Sequence, residues 1–301
     1  MYNSGMKRES DTSPYDQIAS EYDDLFGDQN PYYQSVNRCE RELFEKWINR
    51  SNNHQRAMDI GCGTGFHTKW LVDYGFNSTG IDKSKEMVRL AETKSRAWAG
   101  VSDFIVLDVD DLEQMPENYY RVILCLGSTL NHFEDWKAVA KLISKRLVVG
   151  GVFLFSYDNM DGIDVIARVM LRQFAGYTDS YIREILFGRV KARISGGSFN
   201  NHWRVRANGK EIEVPLKYEH TKKWRRFLNE AGLHLCEVQG THVFDCFDNG
   251  LLKASAGINV TGKQTSGRSF GKYLQRVDRI LARRLHHVAA HVVGIAIKQS
   301  P

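Results

Sequence analysis

Along the first half of the chain, apolar residues recur in two alternating registers. Short apolar runs at Ala57–Ile60, Phe104–Leu107, Val122–Leu126 and Val152–Phe155 have the length of strands buried on both faces of a sheet. Between them apolar positions fall three and four apart, as on a helix packed by one face. The first such stripe is Tyr15, Ile18, Ala19 and Tyr22. The second, Val36, Cys39, Leu43, Phe44, Trp47 and Ile48, is interrupted by charged residues and reads as a sheet-covering helix whose stripe is core. The succession predicted from there is helix 66–74, strand 77–81, helix 84–98, strand 103–107, a loop through Pro116, strand 121–126, helix 134–148 and strand 151–155. Such alternation implies a parallel sheet with helices on both faces and ligands at the carboxyl ends of the strands.

Beyond Phe155 the pattern is less regular. Ile163, Val165, Ile166, Val169 and Met170 have helical spacing, and aromatics follow between Tyr177 and Phe187. Val190–Ile194, His202–Arg206 and Glu211–Leu216 alternate like strands, with Asn208-Gly209 a hairpin signal between the last two. Thr221 caps a helix carrying Trp224, Phe227 and Leu228, followed by strands at His234–Val238 and His291–Ile297. Between those strands lies a long insertion with a Gly/Ser/Thr-rich piece at 261–271. It also carries an amphipathic stripe from Phe270 to Leu285, whose polar side has Arg268, Lys272, Arg276, Arg279, Arg283 and Arg284. A basic amphipathic helix can bind a membrane surface or a partner; packing on its own domain is the preferred reading.

The densest chemical signal is Met58-Asp59-Ile60-Gly61-Cys62-Gly63-Thr64-Gly65, a strand entering a glycine-rich turn before a helix. Glycine there lets the backbone pass close to a ligand, and the free N–H groups of the opening helix favour a negative group. A dinucleotide fingerprint would place its third glycine at position 66, which is Phe66, and a phosphate loop would end in Gly-Lys-Ser/Thr. Asp59, ahead of the first glycine, repels a pyrophosphate and suits a cationic partner. These features favour an amino-acid-bearing nucleoside.

This octet resembles motif I of the class I S-adenosylmethionine-dependent methyltransferases, and further motifs follow in register between residues 15 and 160. Gly80-Ile81-Asp82 resembles the second strand and its acid, placed 21 residues after Gly61, which in the family holds the ribose hydroxyls. Phe104–Val109 resembles the third strand with Asp108 facing the adenine amino group, and Val122–Gly127 the fourth strand beside the transferred methyl. Gly150–Phe155 resembles the glycine turn and fifth strand. The string from Tyr15 to Leu25 resembles the N-terminal cap of small-molecule methyltransferases, whose tyrosines close over the cofactor. Gly127–Phe133 is similar to the corresponding loop of the glycine N-methyltransferase-like branch and lacks the Asn/Asp-Pro-Pro-Tyr/Phe pattern of base-modifying relatives.

The resemblance implies an α/β doubly wound, mostly parallel seven-stranded sheet with the last strand antiparallel, plus an antiparallel β-rich lid insertion. The expected division is an unanchored N-terminus at 1–13, a Rossmann-like cofactor core at 14–156, a substrate lid at 157–217, and completion of the core at 218–301 with the basic amphipathic insertion near 240–290. Its implied cofactor is S-adenosyl-L-methionine, held by Tyr22, Asp59, Gly61, Cys62, Gly63, Gly65, Asp82, Lys83, Met87, Asp108, Val109, Leu126 and Gly127. For Asp82, capping of the helix that starts near Ser84 competes with ribose binding, and for Asp108 the alternative is a solvated loop acid. His132 is the general-base candidate because its ordinary pKa lies near neutrality; a cap or packing histidine is the alternative. Tyr157 is the second catalytic candidate, and Asp158, Tyr181, Arg183, Trp203 and Arg204 are further pocket candidates.

Composition adds bounds. The chain has 301 residues, 42% hydrophobic and 26% charged, ordinary for a globular protein. Its 41 basic and 36 acidic side chains leave a mild excess of +5, no argument for a nucleic-acid partner. Five cysteines are scattered without metal-site spacing, so no metal is expected and the thiols read as reduced packing residues. No signal peptide or membrane span is recognisable, which makes the cytoplasm the expected compartment. The function expected is methyl transfer to a nitrogen or oxygen of a small-molecule acceptor. The alternatives are a lipid or quinone methyltransferase working at a membrane surface, and a catalytically inactive S-adenosylmethionine-binding sensor or scaffold. Oligomeric state and acceptor identity are not legible.

Overall fold

The computed structural model describes residues 13–27, 30–51, 53, 55–163, 180–241, 280–282 and 284–300. The chain begins with a helical segment, α1 (Pro14–Ile18), a 3-10 turn (Ala19–Glu21) and α2 (Tyr22–Phe26), followed by α3 (Pro31–Trp47). Then come β1 (Arg56–Ile60), α4 (Phe66–Asp73), β2 (Asn77–Asp82), α5 (Lys85–Ser95), β3 (Ser102–Val106), β4 (Tyr120–Cys125), α6 (Trp136–Arg146) and β5 (Leu147–Asp158). After them lie α7 (Ser180–Ser195), β6 (Phe199–Ala207), β7 (Lys210–Tyr218), α8 (Thr221–Glu230), β8 (Leu233–Thr241) and β9 (His291–Lys298).

Seven strands form one sheet in the order β3-β2-β1-β4-β5-β9-β8. All are parallel except β9, which runs antiparallel to both β5 and β8. Helices cover both faces, and period-two alternation sorts each strand between them. Met58, Ile60, Ile123, Cys125, Phe153 and Phe155 meet α6 and α8 through Trp136, Ile143, Trp224 and Leu228. Ala57, Val122, Leu124, Leu154 and Val293 face the opposite way, against Leu43 and Phe44 of α3 and Trp70 and Leu71 of α4. The order of strands reverses between β1 and β4, which opens a crevice at their carboxyl ends.

Residues 199–218 supply a separate two-stranded sheet, β6 with β7. Asn208 and Gly209 turn the hairpin with φ of 51° and 71°, the double left-handed geometry of a type I′ turn. Upstream of it, the strand expected at Val190–Ile194 is instead the last part of α7. On a strand, Val190, Ala192 and Ile194 would share a face. On the helix Ala192 is buried while Val190 and Ile194 stand exposed, and Gly196 follows the helix end at φ 68°. Helix α6 also stops short of the expected 148, at Arg146, whose buried guanidinium donates to the Leu112 carbonyl at 2.8 Å. β5 then begins at Leu147, four residues earlier than expected, and continues through β-branched Val148 and Val149. Thr221 is the first helical residue of α8 rather than its cap, and its hydroxyl donates to Asn159 Oδ1 at 3.0 Å. The amphipathic stripe from 270 falls outside the described residues up to 279. Among the described residues no helix is long and apolar enough to cross a membrane.

Where β5 pairs with β9, Gly294 stands opposite Phe155. A Cβ on Gly294 would lie 2.4 Å from Phe155 Cζ. Gly294→Ala is therefore expected to lower stability by about 1–3 kcal/mol through overpacking, measured as a shift of the urea midpoint at unchanged slope. An unchanged midpoint would show that the ring can move aside.

Candidate functional site

The crevice is lined by the turns that end β1, β2, β4 and β5. After Ile60 the chain makes three left-handed residues, Gly61, Gly63 and Gly65, at φ of 68°, 52° and 90°. The Gly61 and Cys62 amides both donate to the Ile81 carbonyl, at 2.8 and 3.0 Å, pinning the loop to β2. A Cβ on Gly61 would sit 2.3 Å from Thr129 Cγ2, so the glycine loop leans directly on the loop after β4. At Gly63 a Cβ would meet nothing closer than the Tyr22 ring at 3.7 Å, and at Gly127 nothing closer than His67 at 3.7 Å. At these two positions a Cβ would make only ordinary van der Waals contact, unlike the clash at Gly61.

Carboxylates surround this loop, each with a different task. Asp59 is buried and accepts the Thr68 hydroxyl at 2.6 Å, tying β1 to the start of α4. Burial pushes its pKa up to about 6, against the opposing pull of His67 and Thr68. Asp82 is half-buried at the end of β2; its two oxygens accept the Gly63 amide at 2.9 Å and the Ser84 amide at 2.8 Å. Ser84, not Asp82, caps α5, accepting from the Met87 amide at 3.2 Å. Lys83 is exposed beside it. Asp108 is exposed at the end of β3 and accepts from the Asp110 amide at 3.3 Å. Met87, Val109 and Leu126 are buried. Cys62 is a buried free thiol whose pKa burial raises well above its ordinary value.

The N-terminal segment roofs the crevice. Asp16 accepts the Ser84 hydroxyl at 2.5 Å, Asp23 accepts the Thr64 hydroxyl at 2.6 Å and also pairs with Lys94. Hairpin β6–β7 packs on the same segment, with Val205, Ile212 and Val214 against Ile18, Ala19 and Met87. Its turn is fastened by Asn208, whose amides donate to Glu21 Oε1 at 2.9 Å and to the Gln17 carbonyl at 3.0 Å. Under this roof Tyr15 Oη lies 2.9 Å from His132 Nε2. In the tautomer whose Nδ1 carries the proton, Nε2 is the acceptor and the Tyr15 hydroxyl the donor. Burial and then the Lys83 ammonium lower the His132 pKa to about 4, which leaves the ring neutral at pH 7. Burial also raises the pKa of Tyr15 and of Tyr22, whose ring packs edge-on to that of Tyr15 at 6.1 Å.

The remaining candidates are distributed differently. Tyr157 lies within the aromatic core, 5.8 Å from the Trp136 ring and 5.5 Å from that of Trp224, and its hydroxyl is engaged by Thr221. Trp203 packs on Phe26 at 5.2 Å as part of the roof, and Arg204 pairs with Glu213 at the surface. The Tyr181 and Arg183 side chains lie outside the described residues. Among the described residues no group of three acidic, histidine or cysteine side chains could hold a metal ion.

Two central residues were not anticipated, Glu40 and His291. Glu40, fully buried on α3, accepts the Gly127 amide at 3.0 Å and the Ser156 hydroxyl at 2.6 Å through one oxygen. Its other oxygen lies 3.0 Å from His67 Nε2. His291, at the first position of β9, lies 3.1 Å from both Asp158 Oδ1 and Ser128 Oγ. The signal for Glu40 was present: it falls four residues after Val36 and three before Leu43, on the apolar face of its helix.

Comparison with known proteins agrees with this geometry. Residues 58–155 match a family model described as a methyltransferase domain. The chain is 28% identical over 131 residues to human glycine N-methyltransferase, covering 38% of this chain and 44% of that one. It is 27% identical over 105 residues to a ubiquinone biosynthesis O-methyltransferase of Idiomarina loihiensis, covering 35% and 43%. In both cases it spans less than half the length of the relative. The CcbJ methyltransferase of Streptomyces caelestis has the same fold, with a TM-score of 0.58 at 17% identity over 96% of this chain and 99% of that structure.

The neutral His132 has a consequence for stability. Its pKa is lower in the folded chain than in the unfolded one, so the unfolded state takes up the proton first. The His132 contribution is complete above about pH 6.5 and is lost as the pH falls toward 4. Between pH 7 and pH 5 the wild type should lose roughly 1–2 kcal/mol more than His132→Gln, read by urea unfolding at both values. Equal losses would show that His132 is not held neutral.

Proposed function

We propose that this protein, whose residues 58–155 match a methyltransferase-domain family, transfers a methyl group from S-adenosylmethionine to a nitrogen or oxygen of a small-molecule acceptor. The left-handed glycine turn at Gly61, Gly63 and Gly65 and the carboxylate of Asp82 beside it fit the methyl donor. Each Asp82 oxygen already accepts one amide and retains lone pairs for the ribose hydroxyls. Asp108 and Val109 stand at the end of the neighbouring strand, where the adenine would lie. Gly61, Cys62, Gly65, Lys83, Met87 and Leu126 shape the walls, and Tyr22 covers the cradle at Gly63.

The observation that carries the small-molecule reading is the roof: the N-terminal segment, the loop after β4 and the lid hairpin converge on one point, the Tyr15–His132 hydrogen bond. An acceptor that reaches this point is enclosed from three sides, which suits a small molecule and excludes water from the reacting groups. Bound S-adenosylmethionine supplies an electrophilic methyl on a sulfonium and leaves as a neutral thioether, so the protein has no leaving group to protonate. Its contribution is alignment and removal of a proton from the acceptor. Neutral His132 holds the Tyr15 hydroxyl as donor, and Tyr15 Oη keeps a lone pair toward the crevice. The lowered pKa makes His132 a weak base, so the transfer of the acceptor proton to Tyr15 Oη, with the Tyr15 proton moving to His132 Nε2, belongs late in the reaction, once bond formation to the methyl has made the acceptor proton acidic. Tyr157, in the aromatic core, supports the wall of the crevice.

Calorimetric titration with S-adenosylhomocysteine tests the donor half. The wild type should bind, and Asp82→Ala should weaken binding by about 1–3 kcal/mol, the cost of an unmade hydrogen bond to a charged group. Tyr15→Phe should retain that affinity within about threefold yet lose at least about tenfold in turnover of the donor with a panel of small amines and alcohols. Absence of any binding to the wild type would overturn the assignment; binding without turnover of any acceptor would favour the sensor reading.

A further inference from the structure

Behind the loop that follows β4 lies a cluster of buried charges that the proposed proton path does not use. His291 is 1% exposed and Glu40 is fully buried; they face each other at 3.6 Å, from Nε2 to Oε1, an ion-pair distance longer than a hydrogen bond. On the other side of the ring Nδ1 lies 3.1 Å from Asp158 Oδ1. A single imidazole thus stands between two carboxylates, one on α3 and one at the end of β5.

What these carboxylates hold is the loop itself. Glu40 accepts the Gly127 amide at 3.0 Å, and Ser128 Oγ donates to Asp158 Oδ1 at 2.9 Å. The Ser128 amide donates to Ser156 Oγ at 3.2 Å, and Ser156 in turn donates to Glu40. Ser128 is one of three non-glycine residues at positive φ among the described residues, at 61°. A serine in that conformation is strained and needs its surroundings to hold it. The next residue, Thr129, is the one on which Gly61 leans. The chain of contacts therefore runs from His291 through the carboxylates to Gly127 and Ser128, and from Thr129 to the glycine loop.

We propose that Glu40, His291 and Asp158 form a positioning network for the methyl-donor site, in which one buried imidazolium between two carboxylates locks Gly127–Thr129 in the conformation that supports the glycine loop. None of the three needs to touch the donor. Glu40 is fully buried and Asp158 about one third exposed; without a counter-charge the two carboxylates would repel each other, and Glu40 would lack compensation for its lost hydration, so a charge on His291 favours the arrangement. Burial alone would lower the His291 pKa, but Asp158 and Glu40 together raise it to about 9. The groups facing the network are Glu40 from α3, His67 from α4 against Glu40, Asp158 from β5 and Arg189 from α7 acting on Asp158. β8 presents uncharged Thr241 opposite His291. Because the folded pKa lies above the ordinary value, the lock is complete below about pH 6.5 and is lost as pH rises through about 9.

The proposal rests on the methyltransferase reading, and S-adenosylhomocysteine binding separates the two. Affinity is measured for the wild type and His291→Gln at pH 7 and pH 10, and the ratio of the two affinities at each pH cancels any titration of the ligand. The wild type should bind about tenfold more tightly than the variant at pH 7 and equally at pH 10. In parallel, the His291 ring resonance should titrate near pH 9 in the wild type and at lower pH in Glu40→Gln, a readout that does not depend on the ligand. Equal affinities at pH 7, a ratio that ignores pH, or a ring that titrates near 6.5 in the wild type would each overturn the network. A wild type that binds nothing at any pH would bring down the methyltransferase reading, and the donor-positioning role with it.

Discussion

A carboxylate without water must be given partners, and Glu40 is the place where this requirement shapes the molecule. It is fully buried, and its oxygens take the Gly127 amide, the Ser156 hydroxyl and His67, with His291 completing the charge. Those partners belong to four different elements of the fold: the loop after β4, β5, α4 and β9. An unpaired charge in that position would cost several kcal/mol. Helix α3 can therefore dock on the sheet only when the turns around the crevice are in place. The same atoms that make the docking tolerable are those that set the floor of the site. His67 lies 3.0 Å from Glu40, and burial of the carboxylate is outweighed by the histidines, which keep its pKa well below the usual range.

Above that floor the roof is held by weaker and more numerous contacts. The N-terminal segment reaches α5 through Asp16 and the glycine loop through Asp23, while the hairpin grips the segment with the two amides of Asn208. Aromatic rings and aliphatic side chains fill the space between them. Surface ion pairs and single hydrogen bonds of this kind contribute little individually. Their geometry matters more than their energy, because they set Tyr15 against His132. A rigid floor and a roof assembled from small contributions suit a site that must open to exchange its ligands.

The parallel core was legible because a strand buried on both faces must be apolar throughout and a glycine turn must contain glycine. The order of β1 to β5, the left-handed glycines and the acid at the end of β2 follow from such local rules. Element ends were less legible. Arg146 stops α6 through a bond to Leu112, a residue far away in sequence, and five residues from Val190 to Ile194 satisfy a strand period as well as a helix turn. Tyr15, His132 and Asp82 could be singled out by residue type and motif position. Their partners could not, because the separation of Tyr15 from His132 in sequence carries no trace of their 2.9 Å contact.

By itself, then, the sequence determined the class of fold, the strand and helix succession of the core, and the loop where a ligand approaches the backbone. These are consequences of hydrophobic period and of the few residues that tolerate positive φ, both of which are local. Tertiary structure decided which charges share one dry space. Glu40 looked like one of several polar residues on a covering helix, and His291 like the first residue of a final strand. Only the antiparallel insertion of β9 beside β5 brings them within an ion-pair distance. Burial then gives that pair its strength, and neither the distance nor the dielectric is written in the order of the residues.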